Sequence, residues 1–281
     1  MKTLLRSALF WVAFTLCLII AMQYAIKENT SIAIVDDYGK LVGSISDTDS
    51  EFVIWYGLYI QRMMNYFEIL TLYCLPLFAV ISTILVLNRS YGDGYFEIEK
   101  AYGVGTKTYY LSRLLAITTI NIIVWLVCEF AAFHLYCLSR GILVECFNLH
   151  DYLIDSTIRI LRLFFCGVFP GCLFYVGVTY ITGVLLKSGY AGCVFGCGHV
   201  LLIYASRHNG HIRMSSVFDY ITPFPTKLFQ YWTFYDTKWF YEKTIRNPWS
   251  DGEMLLHLGI IVGAAIFCFA ISYISTNKRT V

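Results

Sequence analysis

The sequence predicts an all-α, polytopic membrane protein with six transmembrane helices. Of its 281 residues, 58% are hydrophobic and only 14% are charged, a larger apolar share than the core of a soluble domain needs. A helix that crosses about 30 Å of hydrocarbon uses about 20 residues. The length therefore allows six spans with substantial loops, in a single transmembrane domain over residues 1–281, and excludes a large soluble catalytic domain. The net charge of +2 gives no indication of nucleic-acid binding.

Uninterrupted apolar runs place the six spans. The first run follows Lys2 and Arg6 and shows no small-x-small cleavage pattern before Lys27, so we interpret it as a retained helix rather than a signal peptide. Pro76 predicts a kink in the second span. The predicted spans are residues 4–26, 68–87, 111–135, 163–186, 190–205 and 254–274.

Two further segments, residues 27–66 and 206–253, are predicted to lie on the outer side. The first begins as an acidic loop whose alternating apolar residues predict a short hairpin, and it continues as an interfacial or re-entrant amphipathic helix at residues 52–66. The second is rich in aromatic side chains, which prefer the membrane interface. It predicts two short outer-leaflet helices, with a substrate-receiving surface as the alternative.

The distribution of positive charge predicts the orientation of the spans. Nine Lys and Arg residues lie near span ends on the proposed cytoplasmic side, against five in the short loops opposite. Positive residues in short loops resist translocation. Both termini are therefore predicted to be cytoplasmic, in a multi-pass protein of the plasma (cytoplasmic) membrane.

Eight of the ten cysteines fall inside predicted spans, where they are expected to act as small packing residues. Cys137 and Cys146 fall at or beyond the outer end of a span, so a disulfide between them is an open alternative. Cys193 and Cys197 share a helical face, but no neighbouring residues complete a four-ligand metal site. We therefore predict no metal site.

Ionisable residues inside spans mark candidate functional positions. Glu129 and His134 are the main ones, and groups of this kind usually face protein or water rather than lipid. They could line a translocation pathway or pack as hydrogen-bonded residues. Together with His150 and Asp151 they are also the nearest candidates for a membrane-embedded enzyme that modifies lipids, although the four share no motif spacing.

The loop between the second and third spans is the most informative segment. Gly92 and Gly94 form a turn, residues 95–102 form about two helical turns, and Gly103 and Gly105 end the helix. A short amphipathic helix of this kind can dock on a soluble partner and transmit motion to two spans; a solvated loop helix is the alternative. The predicted faces set Phe96, Ile98 and Ala101 against Glu97, Glu99 and Lys100.

The same loop carries an ordered series of features: a basic residue, a glycine turn, Phe-Glu near the start of the helix, a glycine break, and Tyr-x-x-x-Arg-Leu-Leu leading into a span. They are Arg89, Gly94, Phe96-Glu97, Gly103 to Gly105, Tyr109 and Arg113-Leu114-Leu115. With the six-span layout, this order resembles the permeases of ABC transporters of the ABC-two exporter type. Where that family commonly has a proline after the helix, this chain has Gly103-Val104-Gly105.

The resemblance implies a permease subunit that exports an amphipathic substrate, such as a peptide, a lipid-like molecule or a drug. Its short helix would be a coupling helix seated on a separate ATP-binding subunit. That subunit would bind ATP and Mg, because this chain has no G-x-x-x-x-G-K-[ST] motif and is not expected to be an enzyme. A non-transporting membrane sensor or immunity subunit is the alternative. The implied coupling residues are Tyr95, Phe96, Glu97, Glu99 and Lys100.

Three G-x-x-x-G motifs place small residues on single helix faces, where helices can approach closely. They start at Gly167, Gly192 and Gly259. Packing within the chain and a dimer seam are both open. Since the resembling family pairs as homo- or heterodimers through its first and fifth spans, Gly192 and Gly196 are the expected seam.

Overall fold

The computed structural model describes residues 5–27, 32–35, 41–45, 70–91, 94–139, 161, 164–208 and 251–278. In these residues the chain is helical, apart from one hairpin. The elements in chain order are α1 (Ala8–Lys27), β1 (Ile32–Val35), β2 (Leu41–Ile45), α2 (Leu75–Tyr91), α3 (Tyr95–Ala101), α4 (Thr106–Leu126), α5 (Phe133–Ser139), α6 (Phe169–Leu186), α7 (Gly189–His208) and α8 (Asp251–Lys278).

Four helical segments are long enough and apolar enough to cross a membrane. They overlap the second, third, fourth and sixth predicted spans, so the prediction of a helical membrane protein is confirmed at this level. Two shorter apolar stretches, Ala8–Ile20 and Gly189–Leu202, lie in α1 and α7, where the first and fifth spans are predicted. The four long segments are Leu70–Ser90, Thr106–Leu126, Phe164–Leu186 and Gly252–Asn277.

The hairpin predicted after the first span is confirmed. Strands β1 and β2 pair antiparallel, with Ile32 opposite Ile45 and Ala33 opposite Ser44. The predicted interfacial helix at residues 52–66 and the aromatic residues 209–250 lie outside the described residues.

Helix α2 forms the centre of the bundle and α8 its edge. In the four membrane-crossing segments, the buried share is 78% for the segment containing α2 and 22% for the one containing α8. Helix α2 contacts α1, α4, α6 and α7, whereas α8 packs on α6 and α4. The outer face of α8 carries exposed apolar side chains, including Leu255 and Phe267. Lipid tails match such a surface, since they are as apolar as leucine.

Polar side chains join α4 to two neighbouring helices. The buried Asn121 donates Nδ2–H to Ser82 Oγ of α2 at 2.8 Å, and the Tyr110 hydroxyl donates to the Phe269 carbonyl of α8 at 2.8 Å. Interhelical hydrogen bonds within a membrane contribute about 0.6 kcal/mol on average. Helix α4 is thus linked to the centre of the bundle and to its edge.

Helices α6 and α7 are joined by a tight turn at Lys187 and Ser188. Lys187 has a φ of 52°, and Ser188 N–H donates to the Gly183 carbonyl at 3.0 Å. This is the 6→1 bond of a Schellman cap. The short connection makes α6 and α7 packed neighbours.

The motif Gly192-x-x-x-Gly196 packs within the chain. A Cβ at Gly192 would lie 2.6 Å from the Thr179 carbonyl oxygen, and one at Gly196 would lie 2.5 Å from Val80 Cγ2. Both glycines are buried, so neither has room for a second copy beside it. The predicted dimer seam at these two residues is therefore wrong, because α6 and α2 already occupy that face.

The third glycine motif, in α8, has the opposite environment. Gly259 and Gly263 are exposed, and a Cβ at either would meet no atom within 4 Å. The same G-x-x-x-G spacing is therefore closely packed against neighbouring helices in α7 but lies on an open face in α8.

Three π-helical turns interrupt the described spans: Leu70–Cys74, Val127–Ala132 and Phe164–Val168. Each lies toward the end of its span that is remote from α3. Phe164 stacks on Trp125 with ring centroids 4.0 Å apart, which brings the second and third turns to the same region. The thiol of Cys17 donates to the Cys74 carbonyl at 3.4 Å, and this bond joins α1 to the first π-helical turn, Leu70–Cys74.

Two of these turns directly precede a proline. Pro76 follows the turn Leu70–Cys74, and Pro170 follows Phe164–Val168 at the same offset. A proline has no N–H to donate, and its ring crowds the carbonyl of the preceding turn. A wider turn ahead of the proline relieves that crowding. The kink predicted at Pro76 stays a prediction.

Candidate functional site

Helix α3 closes the connection between α2 and α4, as predicted, and glycines define both of its ends. It spans Tyr95–Ala101, against a predicted 95–102, and Gly94 before it has a φ of 68°. At its C-terminus Gly103, with a φ of 80°, donates N–H to the Lys100 carbonyl, and Val104 donates to the Glu99 carbonyl. These are the two bonds of a Schellman cap. The glycine break fixes the exit of the chain into α4.

Gly103→Ala should loosen α3 locally, because a left-handed backbone conformation costs a non-glycine residue about 1–2 kcal/mol. A Cβ at this position meets no atom within 4 Å, so steric clash adds nothing. We expect the α3 amides to exchange about fivefold faster with deuterium, measured by mass spectrometry.

Gly105→Ala is the matched control for this experiment. Gly105 also has open space around a Cβ, but its φ is −64°, which alanine adopts without strain. Its amide exchange should stay at the wild-type rate. Equal acceleration in both variants would contradict the capping role of Gly103.

The first attachment of α3 is to α2. Arg89 donates from Nη2 to the Tyr95 hydroxyl at 3.0 Å, and its guanidinium lies 4.4 Å from the centre of the Tyr95 ring. A cation over an aromatic face contributes about 0.5–1 kcal/mol at exposed sites. This contact joins the start of α3 to the last turn of α2.

The second attachment is to α4. Phe96 is buried and packs edge-on against Tyr109 with ring centroids 5.0 Å apart. On the same side, Arg113 lies over the Tyr109 ring and pairs with Glu99. An aromatic pair contributes about 0.5–1.5 kcal/mol beyond its area, and a partly exposed ion pair about 1 kcal/mol at most. Helix α3 is thereby fixed to both flanking spans.

The opposite face of α3 is open to solvent. Tyr102 is 85% exposed and Ile98 47% exposed, and Glu97, Lys100 and Ala101 share that exposure. The predicted division of faces is wrong for Ile98 and Ala101, which do not lie with Phe96. It is also wrong for Glu99, because its ion pair turns it toward α4.

The structure thus sorts the five predicted coupling residues into two groups. Glu97 and Lys100 lie on the exposed face, whereas the other three make the attachments to α2 and α4 described above. Sequence reasoning missed Ile98 and Tyr102 as surface residues. One signal in the sequence could have indicated which side of α3 is covered. Arg89 and Arg113 flank the helix, and each needs an aromatic or acidic partner on the side of α3 that faces α2 and α4.

The predicted pathway residues lie far from α3 along the chain. Glu129 is in the π-helical turn Val127–Ala132, and His134 is partly buried at the start of α5. Both are therefore toward the remote end of the bundle. His150 and Asp151, which would complete the enzyme alternative, lie outside the described residues, as does Cys146, so pairing of Cys137 with Cys146 stays an open alternative.

Within the described ranges, no group of three or more His, Cys, Asp or Glu residues could hold a metal ion. Cys193 and Cys197 do share a face, with their Sγ atoms 3.7 Å apart. Two thiols alone fall short of the four ligands of a structural zinc site.

Comparisons with protein-family models, with curated proteins and with solved structures give no match to this chain. The class of the protein therefore comes from its own helices, which are those of a helical membrane protein with four segments able to span the bilayer.

Proposed function

We propose that the chain is the membrane-spanning permease subunit of an ATP-driven exporter of the ABC-two type, working with a separate ATP-binding subunit. The observation that carries this proposal is α3, a short helix fixed to two spans and exposed on its other face. In this proposal α3 lies in the cytoplasm and docks on the ATP-binding subunit. The cargo is an amphipathic molecule, such as a peptide, a lipid-like molecule or a drug.

The attachments of α3 suit it to pass on motion. Because Tyr95 is held by α2 and Phe96 by α4, a displacement of α3 pulls on both spans together. Helix α4 in turn bonds to α2 through Asn121 and to α8 through Tyr110. A push on α3 would therefore reach the centre and the edge of the bundle through α4.

The exposed face of α3 suits a protein partner. Tyr102 and Ile98 offer an aromatic and an aliphatic side chain, with Glu97 and Lys100 beside them. Tyrosine is enriched among the residues that carry binding energy at interfaces, and flanking charges add specificity.

The proposal includes six spans and two cytoplasmic termini. Helices α1 and α7 have 20 residues each, which gives each a length of about 30 Å, enough for the hydrocarbon core. They would supply the first and fifth spans. The permease would pair with a second copy or with a paralogue, through a face other than that of Gly192 and Gly196.

Co-purification tests the proposal. The chain is expressed with its genomic neighbours, solubilised in detergent and isolated by a tag on the permease. We expect an ATP-binding subunit in the eluate and ATPase activity that is absent when the permease is omitted. A permease that elutes without any ATP-binding subunit would contradict the proposal.

A liposome assay separates a transporter from a non-transporting sensor or immunity subunit, since α3 could serve either. ATP-dependent accumulation of a fluorescent amphipathic probe inside inverted vesicles supports export. A complex that retains its ATPase but accumulates no substrate would favour the sensor.

A further inference from the structure

A cavity of about 670 Å³ lies between α6 and α7 and opens at the surface of the bundle, where Phe195 and Leu202 of its wall are more than half exposed. Its volume falls in the range of about 300–1,000 Å³ that is usual for small-molecule sites. The main lining residues are Phe174, Tyr175 and Val178 from α6, and Phe195, His199 and Leu202 from α7.

The cavity lies about midway along both helices. Tyr175 and His199 are each roughly 15 Å along their helices from the α6–α7 turn, about half the thickness of a bilayer core. The described lining residues include no Asp, Glu, Lys or Arg. At that depth a charged ligand group would find no counter-charge among these described residues, which is strongly unfavourable.

One polar pair interrupts the apolar wall. The Tyr175 hydroxyl and His199 Nδ1 are 3.0 Å apart, and the Phe174 ring lies 5.8 Å from the His199 ring, centroid to centroid. When the hydroxyl donates to Nδ1, the neutral imidazole carries its proton on Nε2; when Nδ1–H donates to the hydroxyl, Nε2 becomes an acceptor. The pair can thus present either a donor or an acceptor.

We propose that this cavity binds a neutral amphipathic molecule that enters from the lipid phase. Its apolar body lies against the Phe, Val and Leu side chains, and a single hydroxyl group bonds to His199 Nε2. As the substrate site of an exporter this inference rests on the proposed function, but as a binding site it needs no ATP-binding partner.

Photolabelling tests the site. The full-length protein is reconstituted in phosphatidylcholine nanodiscs with a sixteen-carbon alcohol that carries a mid-chain diazirine, and adducts are mapped by mass spectrometry. We expect adducts concentrated on the lining residues of α6 and α7. Removing one ligand hydrogen bond with His199→Phe should lower that labelling about fivefold, while labelling by the matching diazirine alkane stays constant.

A second variant blocks the cavity without removing the polar pair. Gly198 lines the cavity, and a Cβ there meets no atom within 4 Å. Gly198→Leu should fill the space, abolish labelling by both probes at the lining residues and leave the elution volume of the protein unchanged. Tyr180→Phe is the control, since Tyr180 is buried in the same helix but does not line the cavity; its labelling should match wild type.

Three results would overturn the site. Adducts as dense on the lipid-facing residues of α8 as on the cavity would show nonspecific lipid contact. Equal labelling of wild type and Gly198→Leu would show that the cavity is not where the probe binds. If the wild type is not labelled and Gly198→Leu elutes as a smaller oligomer than the wild type, the cavity is occupied by a second copy of the chain. If the cavity is labelled but no ATP-binding subunit co-purifies, the binding site stands and only the proposal of an exporter is rejected.

Discussion

The double variant Ile98→Ala, Tyr102→Ala should lose binding of the proposed ATP-binding subunit while its membrane domain stays folded. Both side chains lie on the exposed face of α3, with Tyr102 85% and Ile98 47% exposed, so truncation removes surface available to a partner and leaves the buried Phe96 contact in place. An aromatic hot spot contributes about 2 kcal/mol or more, which corresponds to an affinity about 30-fold weaker. Biolayer interferometry with the purified subunit measures the change.

Two controls separate docking from folding. Tyr190 is also a highly exposed tyrosine, 74% accessible, and it lies at the start of α7, at the α3 end of the bundle. Tyr190→Ala should bind the subunit like wild type. Phe96→Ala instead empties a buried position, so it should lower the thermal midpoint of the permease. Losses of equal size in Tyr190→Ala and in the double variant would remove the specific role of α3.

Gly196→Val should destabilise the bundle strongly. A Cβ at Gly196 would lie 2.5 Å from Val80 Cγ2 and 2.9 Å from Thr179 Oγ1, so α7 would have to move away from both α2 and α6. Overpacking of this kind costs about 1–3 kcal/mol. We expect the thermal midpoint, followed by the monodisperse fraction in size-exclusion chromatography, to fall by about 5 °C.

Gly263→Val provides the matched control, because it makes the same change in helix propensity at a position where a Cβ meets nothing within 4 Å. Its midpoint should stay within about 1 °C of wild type. If both variants lose the same stability, the cause is helix propensity and the close packing of α7 is disproved.

The spans were predictable from sequence because hydrocarbon imposes one strong rule on a helix, a long apolar run. The fourth span agrees closely, at 163–186 predicted and Phe164–Leu186 observed, whereas the third, predicted at 111–135, is observed at Thr106–Leu126. Gly94 and Gly103 likewise marked the ends of α3 through the backbone conformations that glycine favours.

The faces of the helices were less predictable. Ile98 is apolar but exposed, and Glu99 is charged but turned inward, because Tyr109 and Arg113 of α4 decide which side of α3 is covered. Those partners come from another helix, so the pattern within residues 95–102 could not reveal them. Gly192 and Gly196 show the same limit, since Thr179 and Val80 fill the face that suggested a dimer.

The π-helical turns have a consequence for insertions and deletions in this chain. A π-helical turn holds about one residue more than an α-helical turn, so deleting one residue from 127–132, the turn that does not precede a proline, would restore α-helical periodicity between α4 and α5. A deletion within α2 or α6 would rotate the following side chains by about 100° and turn buried residues such as Phe78 or Tyr175 out of the core. A one-residue deletion should therefore be tolerated better in this turn, at the end of the bundle remote from α3, than within α2 or α6.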